Sequence, residues 1–225
     1  MHGPQPIPPV RWFQRRLLAW YRLHARRLPW RSTRNPYRIL VSEVMLQQTQ
    51  VDRVKAHYRA FLRRYPSFED LAGATEPAVR ESWEGLGYYA RARNLHATAR
   101  RVVAEYGGRL PDDPHLIRQL PGIGRYTAGA VLSIAYGKPE PILDTNAARV
   151  LERVFAVSRR GGKAALQRRL WAMAAQVTPA RAAGDFNQAI MDLGATVCRA
   201  RSPQCAVCPL RKQCAAAAKR IASRR

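Results

Sequence analysis

Helix punctuation, with almost no strand-type alternation, is the feature that most limits the folds open to this chain. Asn35-Pro36 and Asp113-Pro114 each combine a capping side chain with a proline at the first helical position. Apolar residues between them recur with a period of about 3.6 residues, namely Leu40, Val41, Val44 and Met45. Glycine-bearing breaks separate the helical segments at Gly85-Leu86-Gly87, Gly107-Gly108, Gly122-Ile123-Gly124 and Gly161-Gly162. The sequence therefore predicts an all-α protein.

The charge balance indicates a polyanionic partner. Among 225 residues, 39 Lys and Arg stand against 15 Asp and Glu, which gives a formal net charge of +24. Most of the positive residues are arginines, which form bidentate contacts with phosphate. Nucleic acid is the expected partner. A generally basic proteome and association with the ribosome are the alternatives, and charge alone says nothing about chemistry.

Neither the hydropathy nor the N-terminal segment indicates a membrane or secreted protein. No apolar run approaches the roughly 18 residues of a membrane span. Met1–Val10 is proline-rich, lacks the apolar core of a signal peptide, and is predicted to be a loose lead-in. The alanine- and arginine-rich tail, Ala215–Arg225, predicts a frayed helix that contacts DNA. We expect a soluble, intracellular protein.

All four cysteines lie in the last 28 residues, with the spacing C-x6-C-x2-C-x5-C. They are Cys198, Cys205, Cys208 and Cys214. Thiolates prefer soft metals, so four in one loop can bind zinc or an iron–sulfur cluster. A structural zinc site more often uses two Cys-x2-Cys pairs, and only Cys205 and Cys208 are paired this way. The spacing favours a cluster over zinc and over free thiols, and a cytosolic setting disfavours disulfides.

A glycine turn between two predicted helices is typical of a phosphate-binding hairpin. Leu120-Pro121-Gly122-Ile123-Gly124 ends one helix, and the next helix opens at Arg125-Tyr126-Thr127-Ala128. Glycines let the backbone approach a phosphate, and the following N–H groups point at it with the helix dipole behind them. This helix-hairpin-helix pattern predicts sequence-independent contacts with DNA at Gly122, Gly124 and Thr127.

Two carboxylates are candidates for chemistry on a nucleotide. Asp144 follows the apolar run Pro141–Leu143 and could be only a helix N-cap. Downstream of a DNA-binding hairpin, it could also stabilise the positive sugar formed when an N-glycosidic bond breaks. Glu43 lies beside the apolar stripe, and a partly buried carboxyl has a raised pKa and can donate a proton. A solvated helix position is the alternative for Glu43.

A segment of interleaved aromatics and arginines follows the first glycine-bearing break. It reads Gly-Leu-Gly-Tyr-Tyr-Ala-Arg-Ala-Arg-Asn over residues 85–94. An aromatic wedge can enter the base stack while guanidinium groups hold phosphates. Tyr88 or Tyr89 could instead be core residues.

In this order, these stretches resemble the endonuclease III superfamily of helix-hairpin-helix glycosylases, above all its A/G-specific adenine glycosylase branch (MutY type). The resemblance extends from about Trp20 to Cys214 and is carried by SEVMLQQTQV, GLGYYARARNLH, LPGIGRYTAGA and FNQAIMDLG. The cysteine spacing resembles the [4Fe–4S] loop of the superfamily, which implies that all four cysteines bind such a cluster.

The resemblance implies roles for four residues near the reacting bond. Glu43 resembles the acid that protonates adenine, Asp144 the carboxylate that stabilises or traps the C1′ cation, and Asn146 its polar neighbour. Tyr126 stands where the bifunctional branch has a nucleophilic lysine. Without an amine there, base removal without strand cleavage is expected.

Further resemblances and departures concern recognition. Gln48 and Tyr88 resemble residues that insert into the duplex, and Trp30 and Arg31 resemble positions near the base pocket. LDTN stands where the branch usually has LDGN, and the chain ends soon after Cys214, where adenine glycosylases usually continue into a C-terminal domain. The short length and Tyr126 also occur in glycosylases that remove thymine or uracil opposite guanine.

The expected architecture has two helical lobes. A six-helix lobe with the helix-hairpin-helix spans residues 28–137, and residues 1–27 and 138–225 form the [4Fe–4S] cluster lobe, with the flipped nucleotide between Glu43 and Asp144. The leading hypothesis is a monofunctional adenine glycosylase acting opposite 8-oxoguanine or guanine. A thymine/uracil glycosylase is the alternative, and the carboxylate pair argues against a non-catalytic redox DNA-binding protein. We expect a cytoplasmic, nucleoid-associated monomer that binds double-stranded DNA with mismatched or oxidised pairs.

Overall fold

Helices make up the secondary structure of residues 8–222, the part of the chain that the computed structural model describes, and no strand occurs among them. The all-α prediction is confirmed. The helices are α1 (Val10–His24), α2 (Pro36–Leu46), α3 (Val51–Arg64), α4 (Phe68–Gly73), α5 (Glu76–Glu81), α6 (Ala90–Tyr106), α7 (Pro114–Arg118), α8 (Arg125–Ala135), α9 (Thr145–Phe155), α10 (Gly162–Val177), α11 (Ala183–Thr196) and α12 (Ala215–Ala222). Single 3₁₀ turns occur at Pro29–Arg31, Cys205–Val207 and Arg211–Gln213.

Most of the proline-rich lead-in, residues 1–7, and the end of the basic tail, residues 223–225, lie outside the described residues. Within the described part, none of the helices has the length and apolar character needed to cross a membrane.

The predicted helix starts follow from local capping. The Asn35 side chain accepts a hydrogen bond from the Arg38 N–H at 3.1 Å and so caps α2. Asp113 Oδ1 accepts from the N–H groups of His115 at 2.8 Å and Leu116 at 3.0 Å at the start of α7. Each bond satisfies a backbone donor that has no acceptor within its own helix. Both predicted N-caps are confirmed.

The chain divides into two compact units. The hairpin unit comprises residues 27–136, and the cysteine unit comprises the chain up to residue 26 together with the chain from residue 137 onward. Seven α-helices, α2 to α8, lie in the hairpin unit, one more than the six expected. One boundary that the sequence analysis did not use falls between α4, which ends at Gly73, and α5, where the Thr75 side chain accepts from the Ala78 N–H and Pro77 lies in the first turn.

Helix α2, which carries Glu43, and helix α6 are both well packed in the hairpin unit. All seven residues from Ile39 to Met45 in α2 are buried, and this helix packs on α3 and α8. Helix α6 packs on α4, α5 and α2. Phe61 meets Trp83 edge to face, with ring centroids 5.7 Å apart, and each such buried aromatic stabilises the fold by about 1.5–3 kcal/mol. Glu43 is therefore held inside a set of packed helices.

In the cysteine unit, α11 packs on both α9 and α1. Phe13 of α1 lies 5.1 Å from Phe155 and 5.8 Å from Phe186 between ring centroids. A Cβ atom on Gly194 of α11 would lie 2.6 Å from the Asn146 Cβ atom, closer than real side chains approach. The close crossing of α11 over the start of α9 therefore requires glycine at position 194, and this crossing fixes the segment that carries Asp144.

Candidate functional site

Glu43 is a buried carboxyl in the middle of α2. It is only 5% exposed, and its neighbours along the helix, Ser42 and Val44, are buried too. The alternative of a solvated helix position is wrong, because α2 is covered on all of its sides rather than along one stripe. Desolvation penalises the charged form of a carboxyl, so this environment suits a group that holds and then donates a proton.

Asp144 is the N-cap of α9 and is half-buried. Its Oδ1 atom accepts from the Ala147 N–H at 2.7 Å, and its Oδ2 atom accepts from the Asn146 amide Nδ2 at 2.9 Å. The N-cap interpretation is thus confirmed as geometry. It is compatible with a role in chemistry, because the two donors and the positive end of the helix dipole hold the carboxylate in one orientation.

Arg149, which the sequence analysis did not single out, supports Asn146 from one turn along α9. Its Nη2 atom donates to the Asn146 Oδ1 atom and to the Gly194 carbonyl, both at 2.7 Å, and its Nε atom donates to the Cys198 carbonyl at 2.7 Å. Arg153, a further turn along, donates to the Arg199 carbonyl at 2.7 Å. One face of α9 therefore connects the Asp144 carboxylate with the loop that begins at Cys198. Arg149 lies three residues after Asn146 and Arg153 four residues after Arg149, and this helical spacing was the available signal.

The four cysteines line one cavity of about 70 Å³. Its walls are apolar side chains that include Val150, Val154, Leu193 and Leu210. No disulfide joins these cysteines, and no set of three or more His, Cys, Asp or Glu in the described part of the chain is placed to hold a single metal ion. Burial, with the neighbouring cysteines, raises the pKa of the Cys208 thiol to about 11. Four thiols around one cavity fit an iron–sulfur cluster, which takes one thiolate at each of four irons.

Glycine occurs at positions 122 and 124 of the hairpin for different structural reasons. Gly122 has a φ of +73°, and a Cβ atom there would lie 2.8 Å from the Asn94 Cβ atom, so packing and backbone conformation both demand glycine. Gly124 caps α8 with a φ of −83°, and an added Cβ atom would meet nothing within 4 Å. The open space at Gly124 leaves room for a group from outside the chain, as a phosphate at a helix N-terminus requires.

Thr127 and Tyr126 follow in the first turn of α8. The Thr127 side chain is 2% exposed, and its Oγ1 atom accepts from the Gln47 amide Nε2 at 3.3 Å. Because packing against Gln47 occupies the Thr127 side chain, the predicted contact of Thr127 with DNA would be made through its backbone N–H. Tyr126 is half-buried in the first turn of α8.

The two predicted inserting residues share an unusual backbone conformation. Gln48 has a φ of +57° and Tyr88 a φ of +49°, in the left-handed region that residues with side chains rarely adopt. Tyr88 is 61% exposed, so the alternative that it belongs to the core is wrong. Tyr89 is 37% exposed and packs against the Arg80 guanidinium, 5.3 Å from its ring centroid. Strained residues of this kind cluster at functional sites.

Helix α6 fixes three of these loops from one face. Arg91 contacts the Gln48 and Tyr88 loops, Asn94 packs against Gly122, and the Thr98 Oγ1 atom donates to the Pro121 carbonyl at 2.8 Å. Burial lowers the pKa of Arg91 from its ordinary value. The sequence pattern indicated only phosphate contacts for Arg91 and Arg93, so the buried role of Arg91 was not predicted.

The Pro29–Arg31 turn places the last two predicted residues. Trp30 is 5% exposed and meets Tyr58 edge to face at 5.4 Å between ring centroids. Its predicted contact with DNA is therefore unsupported, because the ring is enclosed by the hairpin unit itself. Arg31 is half-buried at the end of the same turn. Trp30 thus anchors the turn that presents Arg31.

The chain is similar in sequence to a family of DNA repair proteins and to individual glycosylases. The family described as "HhH-GPD superfamily base excision DNA repair protein" matches residues 41–176. Adenine DNA glycosylase of Homo sapiens is 44% identical over 224 residues, which cover 96% of this chain and 41% of the relative. Thymine-DNA glycosylase of Aeropyrum pernix is 40% identical over 205 residues, which cover 89% of this chain and 92% of the relative.

A solved structure described as a thermostable thymine-DNA glycosylase superposes with a TM-score of 0.86 at 34% sequence identity. The superposition covers 93% of this chain and 97% of that one. The chain therefore spans about two fifths of the human adenine glycosylase that it matches, and almost the whole of the two thymine glycosylases.

Proposed function

Since the chain belongs to the HhH-GPD superfamily of base excision DNA repair proteins, we propose that it hydrolyses the N-glycosidic bond of adenine paired with 8-oxoguanine or guanine. The observation that carries this proposal is the burial of Glu43 inside α2. Adenine is a poor leaving group until a ring nitrogen is protonated, so its excision needs a positioned acid. The similarity to human adenine DNA glycosylase supports the same substrate.

In the proposed reaction, the Glu43 carboxyl gives its proton to a ring nitrogen of the extruded adenine. The C1′–N9 bond then breaks, its electron pair leaves with neutral adenine, and positive charge develops on the sugar. The Asp144 carboxylate, oriented by Asn146 and the Ala147 N–H, stabilises that cation until water adds at C1′ and loses a proton. The products are free adenine and an abasic site.

The residue at position 126 bears on whether the DNA strand is cleaved after the base has been removed. A Schiff base with the abasic sugar needs an amine, and a tyrosine at this place in α8 cannot form one. We therefore infer a monofunctional glycosylase that leaves the DNA strand intact until another agent cleaves it.

The proposed partner is double-stranded DNA that contains mismatched or oxidised base pairs. A net charge of +24, the open backbone at Gly124 and the exposed Tyr88 support this partner. Binding to DNA would keep a cytoplasmic protein at the nucleoid, and we propose that it binds as a monomer.

We propose that Cys198, Cys205, Cys208 and Cys214 hold a [4Fe–4S] cluster. When bound, the cluster would supply four iron–thiolate bonds that cross-link the loop. Arg149 and Arg153 hold the start of this loop against α9 by donating to its carbonyls. We expect purified protein to be yellow-brown and to contain about four iron atoms per chain. A colourless, folded protein with one zinc per chain would contradict this assignment.

A thymine/uracil glycosylase is the second candidate, favoured by the match over 92% of the Aeropyrum pernix enzyme. Thymine and uracil can depart as delocalised anions, so they need less help from an acid. Duplexes with A:8-oxoguanine, A:G, T:G and U:G pairs, incubated in single-turnover assays and then treated with alkali, separate the candidates. We expect adenine strands to be cleaved fastest. Clearance of T:G or U:G with adenine untouched would establish the second candidate.

A further inference from the structure

Arg91 is a buried cation whose guanidinium donates hydrogen bonds mainly to backbone carbonyls instead of facing solvent. The residue is 8% exposed, and its guanidinium donates six hydrogen bonds. The acceptors are one hydroxyl and five backbone carbonyls. A buried cation is costly unless its donors are satisfied. The acceptors share the four N–H bonds of Nη1 and Nη2, whereas the buried Nε atom has no hydrogen-bond partner. The concentration of acceptors around the two terminal nitrogens indicates a specific structural task.

One half of the guanidinium closes the end of α2. The Arg91 Nη1 atom donates to the carbonyls of Val44 at 3.0 Å and Met45 at 2.8 Å, and also to the Gln47 carbonyl. The last carbonyls of a helix have no partner within it, and a cation there also complements the helix dipole. Gln48, with its left-handed backbone, is the next residue. Arg91 therefore fixes the point from which the Gln48 side chain leaves α2.

The other half holds the aromatic loop. The Arg91 Nη2 atom donates to the carbonyls of Leu86 at 3.1 Å and Gly87 at 2.9 Å, and to the Thr49 Oγ1 atom at 3.0 Å. Its Cζ atom also lies 5.5 Å from the centroid of the exposed Tyr88 ring. A single side chain thus bonds to two loops, each of which carries a residue with left-handed backbone, Gln48 in one and Tyr88 in the other.

We propose that Arg91 is a positioning residue that sets Gln48 and Tyr88 in the relative geometry needed to enter duplex DNA and extrude the target base. This inference rests on the proposed glycosylase function and names the part of the chain that prepares its substrate. The planar guanidinium spans both loops at once, whereas a lysine ammonium has three donors at one point and cannot reach both sets of acceptors.

The test compares Arg91→Lys in two backgrounds, the wild-type protein and the Gln48→Ala/Tyr88→Ala double variant. A duplex with 2-aminopurine at the target position reports extrusion, because its fluorescence rises when the base leaves the stack. Single-turnover excision is measured in parallel. Arg100→Met removes a charge from the exposed side of the same helix and is the matched control.

In the wild-type background, we expect Arg91→Lys to lower the rate of fluorescence rise and of excision by about 10- to 100-fold, since small misplacements of positioning groups have effects of that size. In the double-variant background, we expect a further loss below about threefold, because the side chains that Arg91 positions are already absent. Equal losses in both backgrounds would mean that Arg91 only stabilises the fold, and would overturn the proposal.

Thr49→Val keeps the test decisive if Arg91→Lys fails to fold, because it removes one acceptor while conserving shape. We expect it to slow extrusion in the wild-type background only, and equal slowing in both backgrounds would overturn the proposal. The experiment also separates failure of the proposed glycosylase function from failure of the positioning role of Arg91. Extrusion that depends on Arg91 without excision of any base would refute the glycosylase function alone, and excision with equal losses in both backgrounds would refute the positioning role alone.

Discussion

The hairpin unit and the cysteine unit hold their candidate carboxylates in opposite ways. Glu43 lies in the middle of α2, where every residue from Ile39 to Met45 is buried. Asp144 is the N-cap of α9 and is half-buried, with two hydrogen-bond donors on its oxygens. Apolar packing suits an acid that must keep a proton, whereas donors and a helix N-terminus suit an anion that must face a cation. The two environments thus divide the work between two similar side chains.

Each unit also supports its carboxylate segment with an arginine that donates to backbone carbonyls. Arg91 ties the end of the Glu43 helix to the Tyr88 loop, and Arg149 ties Asn146 to the Cys198 carbonyl. In the proposed function, Arg91 organises the residues that would enter the duplex, and Arg149 organises the neighbour of the carboxylate that would face the sugar cation. Substitutions of the two arginines should therefore impair different steps, base extrusion for Arg91 and bond cleavage for Arg149.

The comparison predicts its largest effect at Glu43. Glu43→Gln conserves size but cannot supply a proton, so we expect adenine excision to fall by about 10²- to 10⁴-fold. Single-turnover assays on A:8-oxoguanine duplexes measure the effect, and Glu76→Gln, at an exposed position in α5, is the matched control. Wild-type rates in Glu43→Gln would remove the proton-donor role and strengthen the thymine/uracil alternative.

Asp144→Asn should come next, with a loss of about 3–4 kcal/mol of transition-state stabilisation, roughly 10²- to 10³-fold in rate. Asparagine caps a helix as well as aspartate does, so the melting temperature and the binding of lesion DNA should stay unchanged. Asp113→Asn makes the same change at the cap of α7. If Asp144→Asn excised adenine as fast as the wild type, Asp144 would be an N-cap only.

Arg149→Gln should have an intermediate effect of about tenfold on excision, because it acts through Asn146 on Asp144. Arg153→Gln is the matched control, since Arg153 also donates to the loop after Cys198 but does not reach Asn146. Comparable losses of excision in both variants, measured at equal iron content, would show that Arg149 acts only through the cysteine loop.

The smallest effect is expected at the hairpin. Gly124→Ala meets no neighbouring atom at an ordinary φ, so its stability should match the wild type while DNA binding weakens a few-fold. Gly122→Ala should instead destabilise the protein, because residue 122 has a positive φ and an added Cβ atom would meet the Asn94 side chain.

The affinity for DNA should depend strongly on salt in the wild-type protein and in both glycine variants. A plot of log K against log[salt] should have the negative slope expected when roughly five or more phosphates are neutralised. A flat salt response would assign the charge to another purpose.

Local chemistry alone determined several features of this protein from the sequence. The caps at Asn35 and Asp113 involve only residues two or three positions away, so they could be read without a fold. Asp144 was likewise recognisable as a possible cap. The cysteine spacing and the Leu120–Gly124 turn pointed to their chemistry for the same reason, since each lies within one short segment.

Tertiary packing decided the rest. Burial of Glu43, Thr127 and Trp30 depends on helices distant in sequence. This is why the solvated position for Glu43 was wrong, and why no exposed side chain supports the predicted DNA contacts of Thr127 and Trp30. Arg91 reads as one more arginine in a basic segment, and its acceptors at residues 44–49 lie more than 40 positions away. Periodicity reports which face of a helix is apolar, whereas only the assembled core shows whether its polar positions are covered as well.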